Sequence, residues 1–243
     1  SAASDVYKRQ SLFIEIRGIG LGRACFARRA ECGFLVSRSL LETAALHSKE
    51  VRSEIRKAVK ETCSGKSDIS VTFQSARTEL PVTFIDLAKN ERFTEPLPTF
   101  DALQLKAELV RKRPKAYILP NTCRMQAEKL RALGIEVEEI GKTFTATVEK
   151  YIVTGYKKVT KEWEKIYPVT VSTRTVKEKK SFPAGCFIIR LSQKNANLAT
   201  TLLEPESVNG FVNFEVVHTE FGKELPIYLS LIHISEPTRL GMI

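Results

Sequence analysis

The stretch SLFIEIRGIGLGR, residues 11–23, joins a strand pattern to a glycine-rich turn. Positions 12, 14 and 16 are apolar, and Glu15 and Arg17 lie on the opposite face of the predicted strand over residues 11–17. The three glycines that follow are spaced GxGxG, which is not the GxGxxG spacing of dinucleotide-binding loops. The pattern therefore places a carboxylate within a strand that otherwise indicates buried core, where it needs an ionic partner or a chemical role.

Two interpretations of Glu15 follow from the pattern. In the first, Glu15 forms a salt bridge within the strand layer, with Arg17 or with a residue elsewhere. In the second, Glu15 acts as a general base, because ligands of open α/β sheets bind beyond the carboxyl ends of strands. The residue pattern alone leaves both interpretations open.

The two ends of the chain do not look native. Residues 5–10 can be encoded by GAT GTG TAT AAG AGA CAG, and the reverse complement of that DNA encodes LSLIHI, which stands at residues 229–234. The ends also resemble the translated adapters of a transposase-based, metagenomic-type sequencing library. We therefore expect residues 1–10 and 229–243 to be adapter-encoded, and we leave them out of fold prediction.

The next part of the chain is predicted to be helical. Apolar residues recur at helical spacing over residues 34–60, with a break at His47 and with Ser48 as a new N-cap. The CSGKSD stretch, residues 63–68, has the composition of a linker. We predict a domain boundary there, between residues 11–64 and residues 65–228.

The second part alternates strand and helix patterns. Residues 115–120, 123–134 and 135–140 predict a β-α-β unit, which favours parallel strands, with Gly134 as the helix C-cap. Strands are also predicted over residues 69–74, 80–87, 143–159, 167–178 and 182–192, a loop over 95–100, a helix over 195–205 and a short extended piece over 209–214. This part is therefore predicted to be an α+β domain.

Composition excludes several classes of protein. The formal net charge is +10, but the basic residues alternate with acidic ones, as in residues 50–61, and no aromatic-interleaved basic motif accompanies them. We therefore predict no nucleic-acid partner. No apolar run is long enough to span a membrane. Five cysteines without a CxxC pair predict neither a disulfide framework nor a cysteine zinc site.

Three segments together resemble one family. SLFIEIRGIGLGR with the helical residues after it, residues 114–140 and residues 181–207 resemble the end of the catalytic domain and the C-terminal extension of bacterial carboxypeptidase-A-like zinc metallopeptidases. The resemblance implies an α/β remnant of a zinc carboxypeptidase catalytic domain, its last strand and helices, followed by an α+β accessory domain. It also implies peptides as substrates and a periplasmic or secreted parent.

The resemblance assigns roles to the first strand. In the family a late strand of the form FxxE carries the catalytic glutamate, which matches Glu15 and would transfer protons for a zinc-bound water. Arg17 would support Glu15 or complement the charge of the site, and a salt bridge within the strand remains its alternative.

The zinc ligands of the family are not matched. No HxxE motif occurs in residues 11–228 except His47 with Glu50, which stands after the catalytic strand, and His218 has no spaced partner. We therefore expect the zinc ligands and the substrate-binding arginines upstream, no zinc in this chain, and no hydrolysis by it alone.

The accessory domain has two possible roles. It is either a packing and substrate-shaping module of the peptidase or a non-enzymatic binding module for cell wall or another anionic polymer. The second role is suggested by aromatic residues that flank lysines, namely Tyr151, Tyr156, Trp163 and Tyr167 beside Lys157, Lys158, Lys161 and Lys165. Gln193 and Asn197 are predicted to face or cap a helix start with Ser192 as N-cap, and Glu204 to end that helix before Pro205; none of these is predicted to be catalytic.

Overall fold

A computed structural model of the chain describes residues 14–16, 18, 20, 22–65, 67–163 and 165–231, apart from the side chains of residues 101–103. Two consecutive helices come first, α1 (Phe26–Leu46) and α2 (Ser48–Ser64). The break predicted at His47 is confirmed, but His47 itself occupies the N-cap position of α2 and Ser48 is its first residue. Among the described residues no helix is long and apolar enough to cross a membrane.

Helix α1 is unusual because none of its residues is buried. Phe26, Phe34, Leu41 and Leu46 each expose more than 60% of their surface. A helix in water owes most of its stability to the packing of its apolar face. These large apolar side chains of α1 therefore have no partner among the described residues.

The strand predicted over residues 11–17 is not seen where the structure describes it. Ile14, Glu15 and Ile16 have no strand hydrogen bonding, and both isoleucines are partly exposed. The physical reason is that a strand is stabilised by neighbouring strands, and this segment lies beside α1, where the side chain of Ile16 faces Gly33. Arg17 lies outside the described residues.

After α2 the chain forms a long two-stranded ribbon, β1 (Ile69–Asp86) and β2 (Glu91–Arg111). The loop predicted over residues 95–100 is wrong, because these residues continue β2 and pair with β1. Pro81 and Pro96 lie opposite each other there. Both strands are edges, so a proline that lacks an N–H group removes no hydrogen bond to a further strand.

The remaining elements build a six-stranded sheet with three short helical segments. They are β3 (Ala116–Leu119), a 3-10 turn (Asn121–Cys123), α3 (Arg124–Ala132), β4 (Glu138–Ile140), β5 (Phe144–Lys158), β6 (Val169–Phe182), β7 (Cys186–Arg190), α4 (Ala196–Leu203) and β8 (Glu224–Ser230). The strand order is β4-β7-β3-β8-β5-β6, and every neighbouring pair is antiparallel. The two helices and the strands predicted within this part are present, but Leu133, not the predicted Gly134, stands at the C-cap position of α3, and Gly134 follows it with a φ of 77°.

The predicted β-α-β unit is present in a split form. β3 and β4 both run antiparallel to β7, which lies between them, so they point the same way without pairing. The parallel direction was thus predicted correctly, and the inserted β7 comes from residues about fifty positions later than α3. Strand insertion of this kind depends on distant sequence, which local patterns do not report.

The sheet has an apolar cluster on each face. Tyr117 and Leu119 of β3 belong to the cluster that α3 and α4 cover, and Ala116 and Ile118 belong to the second cluster. The extended piece predicted over residues 209–214 is wrong. That segment makes successive turns, with the amide of Phe214 bonded to the carbonyl of Gly210, and buries Phe211 and Val212 in the first cluster.

Strand β8 runs past the boundary predicted at residue 228. Leu229 and Ser230 are buried and pair with β3, and Leu229 also pairs with β5. Backbone pairing accepts any non-proline residue, and Leu229 supplies the apolar side chain that its position on the covered face needs. Two residues of the predicted adapter-encoded end therefore complete the centre of the sheet, whereas residues 1–13 and 232–243 lie outside the described residues.

Candidate functional site

Glu15 lies on the segment that leads to α1 and is exposed to solvent. Arg29 of α1 fixes the following turn, since its Nη2 donates a hydrogen bond of 3.0 Å to the carbonyl of Gly22 and its Nη1 lies over Gly18. A side chain at position 18 would displace that guanidinium, which explains one glycine of the motif. No hydrogen bond or ion pair of Glu15 occurs within the described part of the chain. The carboxylate of Glu15 is therefore accessible to a group outside the described residues.

A buried polar cluster is centred on Glu204, which is 1% exposed. Tyr117 donates a hydrogen bond of 2.5 Å to Oε1, and Tyr151 lies 3.0 Å from both carboxylate oxygens. Arg111, at the end of the ribbon, completes the set with Nη1 at 2.8 Å from Oε2. A buried carboxylate is tolerated here because three donors satisfy it.

Glu206 holds the other side of the same guanidinium. Arg111 donates through Nη1 and Nη2 to the two oxygens of Glu206, at 2.7 and 2.8 Å, in a bidentate pair. Thr173 of β6 donates its amide and its hydroxyl to Glu206, both at 2.8 Å. Arg111 also stacks over the ring of Tyr151 at 5.1 Å. The cluster therefore connects the ribbon, β6 and the turn after α4.

Burial and charge shift the titration of this cluster. Burial raises the pKa of Glu204 above its ordinary value, although hydrogen bonds from Tyr117, Arg111 and Tyr151 oppose the increase. Burial also raises the pKa of both tyrosines well above 10, so they stay protonated and donate. Burial alone would lower the pKa of Arg111. The hydrogen bond to Glu206 and the charges of the neighbouring carboxylates outweigh burial and raise the pKa above its ordinary value. The arrangement is that of a structural ion network, in which both carboxylates contact the guanidinium of Arg111.

Beside this cluster lies a cleft of about 730 Å³ between α2, the start of β1 and α4. Arg113, Asn197, Glu204 and Ser207 contribute to its polar wall, and Ile69, Val71 and Phe73 to its apolar wall. The guanidinium of Arg113 makes only long contacts there, at 3.5 Å to Asn197 and 3.4 Å to the carbonyl of Thr62. Burial lowers the pKa of Arg113.

Within the described part of the chain no three His, Cys, Asp or Glu residues lie close enough together to hold a metal ion. His47 and Glu50 are 2.9 Å apart, one turn from each other on an exposed helix surface. That pair can form a hydrogen bond but supplies only two ligands, and a zinc site needs at least three from the protein. The described residues therefore do not fit a zinc ion by themselves.

Comparison with known proteins adds a relationship that the geometry alone does not give. The chain resembles fungal carboxypeptidases. It is 28% identical over 214 residues to carboxypeptidase 2 of Trichophyton tonsurans and 27% identical over 214 residues to that of Trichophyton rubrum. It is also 28% identical over 190 residues to a probable carboxypeptidase 2 of Arthroderma benhamiae.

The matches cover most of this chain but less than half of each relative. They span 88% of the chain and 40% of the two Trichophyton proteins, and 78% of the chain and 36% of the Arthroderma protein. No protein-family model matches the chain, and no solved structure matches it significantly. The similarity supports a carboxypeptidase family and a peptidase function; the relatives named here are fungal, whereas the sequence pattern suggested bacterial ones.

The residues predicted near the second helix of the accessory part prove to be structural. Gln193 is buried and binds both the amide and the carbonyl of Glu136, at 2.8 and 3.1 Å, so it links β7 to the segment before β4. Asn195, not the predicted Ser192, stands at the N-cap position of α4, and its side chain donates to the carbonyl of Gly134 at 2.7 Å. Asn197 faces the cleft through its contact with Arg113.

The aromatic residues predicted to flank lysines divide into two groups. Tyr151 is buried in the Glu204 cluster, whereas Tyr156, Trp163 and Tyr167 are exposed at the loop end of the β5–β6 hairpin. Lys158 at that end is paired with Glu215 at 2.7 Å. Three of the four aromatic side chains are therefore accessible, as a binding surface requires.

Sequence reasoning missed the role of Glu204 and did not consider Arg111. Glu204 was assigned to a helix end, which is correct, but its burial was not foreseen. One signal was available, because LATTLL before it has no charged residue and four apolar ones, which indicates a buried helix whose final carboxylate needs a partner. The identity of that partner, 93 positions earlier, had no local signal.

Proposed function

We propose that the intact parent of this chain is a zinc metallocarboxypeptidase that removes residues from the carboxyl end of peptides, in the periplasm or outside the cell. The chain contributes the last part of the catalytic domain, residues 11–64, and an α+β accessory domain, residues 65–228. The observation that carries the proposal is similarity to proteins named carboxypeptidase 2 over 88% of the chain.

The exposed apolar side chains of α1 support this division. A soluble protein rarely leaves a helix with four large apolar side chains in water, and such a surface marks an interface. The chain spans about two fifths of the length of the Trichophyton relatives. In the parent, α1 packs against the part of the catalytic domain that the chain does not contain.

Within the parent, Glu15 is the proton-transferring carboxylate. Its exposure, its lack of a described partner and its position beside the Arg29-anchored glycine turn are compatible with a role toward a group supplied from elsewhere in the parent. Zinc would be held by residues that precede residue 11, because the described residues do not fit the ion by themselves. The chain alone is therefore expected to be inactive.

The test begins with the parent gene, recovered through the DNA upstream of residue 11. The purified parent should release the C-terminal amino acid from a blocked dipeptide, lose that activity with a zinc chelator and regain it with zinc. The Glu15→Gln variant should reduce kcat at least about a hundredfold, since proton transfer by a positioned side chain contributes on that order. Glu31→Gln, an exposed glutamate of α1, is the matched control and should retain activity.

Two results would contradict the proposal. One is a parent that cleaves with undiminished rate in the presence of the chelator. The other is a Glu15→Gln variant that keeps its kcat within about threefold of the unmodified parent, which is far less than proton transfer contributes.

An alternative function is favoured by the loop end of the β5–β6 hairpin. Exposed Tyr156, Trp163 and Tyr167 beside lysines match a platform for an anionic polymer such as cell wall. Retention of the chain on peptidoglycan that falls with added salt and with Trp163→Ala would support the alternative, and an absence of retention at low salt would eliminate it.

A further inference from the structure

The outer part of the β1–β2 ribbon carries an apolar surface that has no partner among the described residues. Ile69 and Val71 anchor the base of the ribbon in the core. Farther out, Leu80, Phe84 and Phe93 are exposed to solvent. An isolated two-stranded ribbon is marginally stable in water and needs another layer on its apolar side. The outer part of the ribbon therefore has the character of an interface.

The strand register places these side chains on one side of the ribbon, here called face A. Residues opposite each other in an antiparallel pair point to the same side, and so does every second residue along a strand. On face A, Leu80 lies opposite Leu97. Phe84 lies opposite Phe93, with ring centroids 5.4 Å apart, and the half-buried Val82 lies between these pairs. The other face is mixed and carries Arg77, Glu79, Pro81, Ile85, Arg92, Pro96, Pro98 and Phe100.

The charges of face A change sign along the ribbon. Glu91 and Glu95 lie on face A in the half nearer the turn. In the other half, Gln74 continues the alternation of β1 on face A, and the register places Lys106 opposite it. These three charged side chains are exposed and have no ion pair among the described residues. Face A is therefore acidic toward the turn, apolar in the middle and basic toward the base.

We propose that face A is the contact surface between two copies of this chain, whose ribbons stack face to face and run in opposite directions. Asp86, which lies opposite Glu91, and Gln74, which lies opposite Lys106, each stand six residues from Leu80. A two-fold axis at Leu80 therefore brings the apolar stripe onto its own copy. The same axis brings Glu91 of each copy over Lys106 of the other, so the surface is complementary to itself in shape of pattern and in charge.

The charges also select the direction of the two ribbons. If both turns lay at the same end, Glu91 of one copy would lie over Asp86 of the other, and like charges that face each other are destabilising. In the opposed arrangement, Lys89 in the turn of one copy lies at the end where Glu108 of the other copy is 3.4 Å from the Thr72 hydroxyl. An interface two strands wide is at the small end of specific interfaces, so we expect a dissociation constant in the micromolar range.

The experiment is analytical ultracentrifugation of the whole chain over micromolar to submillimolar concentrations. The unmodified chain should show a monomer–dimer equilibrium. Glu91→Lys and Lys106→Glu should each weaken the dimer about tenfold, because two symmetry-related pairs change from attraction to repulsion. The double variant, Glu91→Lys with Lys106→Glu, should recover the original affinity within about threefold. Arg92→Glu, a charge reversal on the other face, is the matched control and should leave the affinity unchanged.

Recovery by the double variant distinguishes contact between copies from any effect within one chain. Glu91 and Lys106 are separated by about 40 Å along one ribbon, since they stand about twelve strand positions apart, and cannot contact each other there. All four positions of the test and control are exposed or lie on the ribbon surface, so the Tm of a dilute sample should not change between variants.

Four results would overturn the proposal. The first is a chain that stays monomeric at every concentration, and the second is a double variant as weak as the single ones. The third is an association that neither single reversal weakens, as expected if the exposed side chains of α1 mediate it. The fourth is a parent protein that stays monomeric where the chain dimerises, which would assign face A to the upstream part of the parent. None of these outcomes depends on Glu15 or on zinc.

Discussion

Arg111 and Glu204 are joined by an ion pair of 2.8 Å although 93 positions of sequence separate them. The pair attaches the end of the exposed ribbon to the turn that follows α4. Because Glu204 also accepts from Tyr117 of β3 and Tyr151 of β5, three strands and a helix end meet at one carboxylate. The junction between the ribbon and the sheet is therefore specified by charge as well as by apolar packing.

Replacing Arg111 with methionine should destabilise the chain by about 3–5 kcal/mol. The substitution leaves the carboxylates of Glu204 and Glu206 buried without their cation. Removing one partner of a buried ion pair is strongly destabilising because the remaining charge is uncompensated. Urea unfolding followed by circular dichroism measures the free energy. Arg124→Met, which removes an exposed pair with Glu139, is the control and should change it little. An Arg111→Met variant as stable as the unmodified chain would show that the cluster is not structural.

Acid should weaken the fold through Glu224. Burial alone would raise its pKa, but hydrogen bonds from Tyr228, Lys150 and Lys180 outweigh burial and lower the pKa to about 2. A folded-state pKa below the unfolded value means that the stabilisation is complete above about pH 4.5 and is lost as the pH falls from there toward about 2.

The measurement is Tm against pH for the unmodified chain and for Glu224→Gln. The unmodified chain should have a free energy of unfolding about 1 kcal/mol higher than that of Glu224→Gln at neutral pH, after allowance for solvent screening. This difference should vanish near pH 2. Glu220→Gln, an exposed change four residues earlier, should keep the full pH dependence. Parallel curves for the unmodified chain and Glu224→Gln would contradict the assignment.

Gly210 should tolerate no side chain. A Cβ there would lie 2.9 Å from the carbonyl oxygen of Glu204 and 3.0 Å from that of Ser207, both backbone atoms that cannot rotate away. Gly210→Ala should therefore cost about 1–3 kcal/mol in unfolding free energy. Gly141→Ala is the control, because a Cβ at Gly141 meets nothing within 4 Å. If the two variants have equal stability, the turn after α4 is looser than its contacts indicate.

The turn of the ribbon should depend on Asn90. Asn90 has a φ of 56°, and Asp86 accepts hydrogen bonds from the amides of Ala88 and Lys89 at 2.9 and 3.2 Å. Asn90→Val should cost about 1–2 kcal/mol, because a β-branched residue is disfavoured in the left-handed region, while Asn90→Gly should cost nothing. Hydrogen exchange of the ribbon amides reports the difference, and equal exchange rates in both variants would contradict the strain argument.

Local patterns predicted most elements because their causes are local. The break at His47, the turn at Gly134 and the alternation of β5 and β6 are each read from adjacent residues. The loop predicted over residues 95–100 failed because two prolines normally end a strand, whereas a two-stranded ribbon leaves an open edge where they fit. The segment at residues 209–214 failed because its apolar residues are buried by turns rather than by a strand.

The site was less predictable than the fold. Glu15 was singled out by a strand pattern that the described residues do not adopt, and its proposed role rests on resemblance. Arg111 and Arg113 look alike in sequence as parts of one basic run, yet the first is neutralised by two carboxylates and the second by none within the described residues. That difference arises from which distant residues the topology brings near, and single-sequence patterns do not carry it.

The position of β8 has a consequence for synthesis. In the sheet, β4-β7-β3 forms one half and β5-β6 the other, and among the described strands β8, the last of them in sequence, is the one that hydrogen-bonds to both halves. During synthesis the N-terminal end of the chain leaves the ribosome first, so the strands of each half can pair early. The two halves cannot be joined into one sheet until residues 224–230 have left the ribosome. The six-stranded sheet is therefore complete only after β8 has been synthesised, and a chain that stops short of β8 leaves two open sheet edges that can pair with other chains.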